Sequence, residues 1–191
     1  MKIKDIVFVL VYISFGVLTR TVWHIAPNVE FVTALCLAGA FFMRKNSSYA
    51  IPLGIMIVSD LIIGNSPVFI FTWSAFGSAH LLGKLMRGKQ ADRFLSKVPA
   101  IVKTALLSEL AGIVFTVFFF LWTNFGVVLV SNLYPKTLEG LLLSYEMGVP
   151  FLIPQLIGNM IIVPAVFVAT ELAYNSGYKY LKNVNLKLLN R

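Results

Sequence analysis

Of the sixteen lysines and arginines in the chain, only Arg20 and Lys136 break a simple alternation. Six apolar runs follow one another, at residues 6–23, 31–43, 49–64, 68–86, 101–122 and 151–173. The other basic residues lie before the first run, between the second and third, in the long segment from Lys84 to Lys103, and after the sixth. Lysine and arginine in short loops stay on the cytoplasmic side of a membrane. The alternation predicts an all-α polytopic membrane protein with about six transmembrane helices in one bundle and both termini inside. It forms a single integral membrane domain, 1–191, with a basic cytoplasmic loop at 84–103 and a basic cytoplasmic tail at 174–191.

Composition points the same way. The chain is 58% hydrophobic and 13% charged, against roughly 45–50% and about 25% in soluble domains. The net charge of +8 then follows from orientation in a bilayer, and no nucleic-acid partner is needed to explain it. The loop at 84–103 could also meet anionic headgroups or an acidic partner. No small-residue cleavage site follows the first run, so it reads as a retained helix and not a signal peptide.

The second run, 31–43, is short for a bilayer core of about 30 Å. Its Ala34, Ala38, Gly39 and Ala40 allow close helix approach. It is tilted, buried or partly re-entrant. Residues 24–30, with Pro27 and Asn28, read as a turn. Residues 123–139 form a mixed connection that either extends the fifth helix or lies at an interface. A short amphipathic piece at 140–148, with Glu146, precedes the last helix.

Within the third run Asp60 stands among Val58, Leu61, Ile62 and Ile63, and Gly64, Asn65, Ser66 and Pro67 end the helix. A charged residue at the centre of a membrane helix costs roughly 2.5–3.5 kcal/mol on insertion scales, and such residues mark functional sites by default. The topology sets Asp60 at the outer end of its helix, on the same side as Arg20. The two either form a structural ion pair or bind a polar ligand. Asn28, Asn124, Tyr134, Thr137 and Glu146 fall on that side too. Trp122 and Asn124 sit where a helix ends, as an interfacial belt or as a pocket wall with Asn124 reading a polar edge. Gln155 and Asn159 share a face at i, i+4, pointing to a pocket or to a neighbouring helix. His80 reads as a helix–helix hydrogen-bonding group. Glu109 suits an interhelical salt bridge with Lys103 nearby, and Glu171 suits a snorkelling position.

Catalytic and metal signatures are missing. There is no Gly-rich phosphate loop, no HExxH and no nucleophile elbow. Cys36 is the one cysteine, and His80 has no second His or Cys at ligand spacing. The expectation is a non-enzyme with no cofactor and no metal.

Several pieces occur in order: Arg20 followed by Pro27-Asn28, Ala34 through Ala40, Pro52 with Ser59-Asp60 and Gly64, Thr123 through Gly126, and Leu133 through Thr137 with Gly140-Leu141. Over residues 20–170 this order resembles an uncharacterised family of small bacterial membrane proteins. That family is similar in turn to the substrate-binding S components of energy-coupling factor (ECF) vitamin transporters. The resemblance implies a six-helix protein of the bacterial inner membrane that captures a small vitamin-like molecule from outside. It also implies an ATP-driven energising module as partner. S components dock that module on an Ala-xxx-Ala pattern in the first helix. Here the first helix reads FVLVYISFGVLT, and the closest such spacing is Ala34-xxx-Ala38 in the second.

The functional expectation is a small-molecule-binding membrane protein. Arg20, Asp60 and Asn124 are its polar anchors, Trp73 and Trp122 its wall, and Tyr134 its lid. Asn28, Thr137, Glu146 and Asn159 complete the candidate set. The rival expectation is a structural scaffold of an inner-membrane assembly whose polar groups only satisfy one another.

Overall fold

The shortest α-helix among the described residues stands at the centre. Residues Val32–Phe42 form α2, about 16 Å long at 1.5 Å per residue, and every residue from Val32 to Ala40 is buried. A helix apolar on all sides is stable only when neighbours surround it. The neighbours are α1 (Ile3–Thr21), α3 (Ala50–Ile63), α4 (Phe69–Met86), α5 (Ala100–Val130) and α6 (Leu138–Leu189), and α2 touches all five. A 3-10 turn, Asn46–Tyr49, precedes α3. The computed structural model describes residues 3–23, 26, 28–43, 46–87, 95 and 97–189, with the backbone alone described at 3, 4, 46, 47 and 174–189. The expectations for Lys2, Lys4, His24, Pro27, Arg44, Lys45 and most of 88–96, and for the side chains of the basic tail, lie outside the described residues.

Small residues set the spacing of the bundle. Helices α1 and α3 run parallel, with Gly16 against Ile55 and Gly54 against Ile13. Helices α2 and α4 are also parallel, and Gly83 lies against the Ala40 backbone. Helices α5 and α6 form an antiparallel hairpin in which Gly112 meets Val163. Where α2 ends, Arg87 Nη1 donates to the carbonyls of Phe41 and Met43, each at 3.0 Å. The last carbonyls of a helix have no intrahelical partner, and a guanidinium suits the negative end of the helix dipole.

Among the alternatives for residues 31–43, the buried one describes α2. Ala34 and Ala38 are fully enclosed, so their spacing packs the bundle's own helices. Among the described residues, two helices are long and apolar enough to cross a membrane: Ala100–Val130, with mean hydropathy 2.3, and Leu138–Ala173, with mean hydropathy 2.0. The other described helices are shorter.

The last third of the chain differs most from expectation. Helix α5 runs on to Val130, so of the two alternatives for residues 123–139 the extension of the fifth helix describes 123–130. The piece at 140–148 and the run at 151–173 are one helix, α6, which continues through Pro150, Pro154 and Pro164 to Leu189. Proline removes one ladder hydrogen bond and crowds the preceding turn; Pro154 and Pro164 fall inside the run expected as one helix, and the difference is the join across 149–150. In apolar surroundings neighbouring helices and local adjustments tolerate a helical proline. Thr137 caps α6: its Oγ1 accepts from Gly140 N–H at 3.2 Å, the bond expected of an N-cap threonine. Gly140 itself has no room for a side chain, because a Cβ would lie 2.0 Å from the Pro135 carbonyl oxygen.

Candidate functional site

Helix α3 ends where Gly64 turns to φ 87, and its N–H closes on the Asp60 carbonyl at 3.0 Å. This leaves Asp60 in the final turn of α3. Arg20 is in the final turn of α1, which runs parallel to α3, so the two side chains meet at one end of the bundle. Arg20 Nη1 donates to Asp60 Oδ1 and to Ser59 Oγ. Ser59 donates its own proton to the Ile55 carbonyl at 2.6 Å, which leaves its oxygen as the acceptor. Trp73, on the first turns of α4, donates from Nε1 to Asp60 Oδ2 at 2.7 Å. One carboxylate therefore ties α1 and α4 to α3. The Arg20 and Asp60 side chains are 14% and 7% exposed.

Above this network lies an open cavity of about 370 Å³, lined by Arg20, Asp60, Ile63, Gly64, Asn65, Ser66, Phe69 and Thr72. Its size falls at the lower end for small-molecule sites, which run from about 300 to 1,000 Å³. Phe69 meets the edge of Trp73, with ring centroids 5.7 Å apart. The site holds one joined ion pair, one amide, two hydroxyls and an aromatic ring. That set can orient a bound molecule, and it presents no nucleophile with an adjacent base.

Of the candidate residues, the structure brings together Arg20, Asp60 and Trp73. Arg20 and Asp60 line this cavity, Trp73 is tied to it only through its bond to Asp60, and the other candidates do not line it. Trp122 donates from Nε1 to Ser74 Oγ at 2.9 Å and packs with Phe71, Phe118 and Phe125, so it joins α5 to α4. Asn124 donates to the Phe120 carbonyl at 2.8 Å and accepts from Ser144 Oγ at 3.3 Å, within the seam between α5 and α6. Asn159 lies deeper in that seam, 3% exposed, and donates to Thr116 Oγ1 at 2.8 Å. Such interhelical bonds contribute about 0.6 kcal/mol on average in membrane bundles. Asn28 is exposed, with φ 60, in the turn between α1 and α2. Tyr134 is half-buried in the connection before α6, Thr137 is the α6 cap, and Glu146 is exposed on α6.

His80 shares a 2.6 Å hydrogen bond with Ser48 and stacks on Tyr49 at 4.1 Å, fastening α4 to the 3-10 turn. Glu171 Oε2 is buried without a hydrogen-bond partner.

Sequence reasoning missed Ser59, Asn65, Ser66, Phe69 and Thr72. The signal was adjacent: Asn65 and Ser66 directly follow Gly64, and were read as residues that merely end a helix.

No curated protein and no solved structure matches the chain. A family model matches residues 1–182, nearly the whole sequence. The chain belongs to that family, a family of unknown function (DUF6580).

Proposed function

We propose that this protein is a multi-pass, six-helix protein of the bacterial inner membrane with an S-component-like fold, and that it captures a small vitamin-like nutrient at the Arg20–Asp60 cavity. The observation that carries the reading is the cavity's position. It lies at the Arg20 end of the bundle, whereas Lys84 and Arg87 lie at the opposite end of α4. With basic residues inside, the cavity opens outward. The perimeter supports a lipid setting: Val7, Leu61, Leu81, Leu110 and Ile161 are 53%, 82%, 59%, 60% and 67% exposed.

The energising module is part of this proposal through the resemblance to S components. Its docking face is then another surface than Ala34-xxx-Ala38, which is enclosed.

A scaffold role is the second reading. What favours it is that both Asp60 oxygens already accept from protein donors. The discriminating experiment is purification in lipid nanodiscs from a bacterial host, followed by mass spectrometry of the organic extract. The binding reading expects a stoichiometric small molecule that Arg20→Gln loses. An empty extract from wild-type protein sinks it, and leaves the scaffold.

A further inference from the structure

We infer that the occupant of the Arg20–Asp60 cavity is an uncharged small molecule with a hydrogen-bonding edge and an apolar body, and that Asp60 is a positioning residue for Arg20 and Trp73. This rests on the binding reading above and names its substrate class. Among the residues lining the cavity, Arg20 and Asp60 are the ionisable ones, and they are paired with each other. The lining therefore has no net charge.

Each charge type of ligand meets a specific obstacle. A cation must displace Arg20 or Trp73 from the Asp60 oxygens that hold them. An anion approaches an Arg20 whose charge Asp60 already offsets. Bringing a net charge into a partly desolvated site without a counter-charge is costly.

The rest of the lining is built for neutral recognition. Asn65 offers an amide, and Ser66 and Thr72 offer hydroxyls, groups that both donate and accept. Thr72 Oγ1 lies 3.5 Å from the Val68 carbonyl, a weak bond that a ligand group can replace. Ile63 and Phe69 supply apolar contact. A carbonyl, amide or hydroxyl edge on an apolar body satisfies both halves.

The test uses the full-length protein in nanodiscs and the molecule extracted from it. The expected result is a molecule uncharged at neutral pH, with the same occupancy after washing in about 0.01 M and about 1 M salt, conditions whose screening lengths differ about tenfold. Thr72→Val keeps the side-chain shape and removes the hydroxyl. It should lower occupancy about two- to tenfold, the equivalent of one hydrogen bond. A net-charged molecule, a tenfold salt effect or an unchanged Thr72→Val occupancy overturns this inference while leaving the binding reading intact. An empty extract overturns both.

Discussion

Trp73 and Asp60 are joined by a 2.7 Å hydrogen bond from the indole N–H to a carboxylate oxygen whose twin faces Arg20. The tryptophan comes from the start of α4 and the aspartate from the end of α3, so the bond fixes how the chain turns between them. It also fixes the side of the bundle on which Gly64, Asn65 and Ser66 lie. A single carboxylate thus sets both the helix junction and the shape of the cavity.

Removing one partner of this network should be worse than removing both. Asp60→Ala takes the Asp60 carboxylate away from the Arg20 guanidinium, which is 14% exposed. Breaking a buried pair from one side costs about 3–5 kcal/mol, whereas replacing both members with apolar residues is often neutral. Thermal unfolding in detergent should show a large loss for Asp60→Ala and substantial recovery in the Arg20→Met, Asp60→Leu double variant. Equal losses in both would show that the pair's charges do not govern stability.

Trp73→Phe separates the indole hydrogen bond from the ring. The variant keeps an aromatic body beside Phe69 and leaves one Asp60 oxygen without its donor. An unsatisfied buried acceptor costs about 1–3 kcal/mol. The expected outcome is a stability loss in that range in chemical denaturation, together with lowered occupancy of the cavity, because Asp60 no longer holds one position.

The α5–α6 seam should answer differently. Asn124 and Asn159 bond within it and do not line the cavity. Asn159→Ala should cost about 0.6 kcal/mol, the average for interhelical hydrogen bonds in membrane bundles, and leave cavity occupancy unchanged. A loss of bound molecule at unchanged stability would return Asn159 to the candidate site.

What the sequence revealed depended on the range of the interaction. The Arg20–Asp60 meeting was readable because two charges in apolar runs on the same side have few alternatives. The end of α3 at Ile63 was readable from Gly64. The roles of Asn124 and Trp122 were not, because residue type alone does not tell a helix seam from a cavity wall. That choice depends on the rotation of α5, which packing against α4 and α6 decides. Continuity through Pro154 and Pro164 was legible, but the join of 140–148 to the last helix across Val149 and Pro150 was not, because Gly148 and Pro150 together carry the local signal of a helix end. The burial of α2 was half visible: its small residues indicated close packing, and the thirteen-residue run 31–43 was short for a bilayer core, which left tilted, buried and re-entrant alternatives, but its central place required the other described helices.

Two glycines on α4 give a paired test of that central packing. At Gly83 a Cβ would lie 2.5 Å from the Ala40 Cβ and 2.8 Å from its carbonyl carbon, whereas at Gly77 nothing lies within 4 Å. The first contact is against α2 backbone, which cannot move without shifting a helix that touches every other. Overpacking of this kind costs about 1–3 kcal/mol or more. In open space, alanine is favoured over glycine in a helix by roughly 1 kcal/mol. Gly83→Ala should therefore lower the unfolding temperature, and Gly77→Ala should leave it unchanged or raise it. If the two variants behave alike, α2 and α4 do not pack at the Ala40–Gly83 contact, and the placement of α2 at the centre of the bundle is wrong.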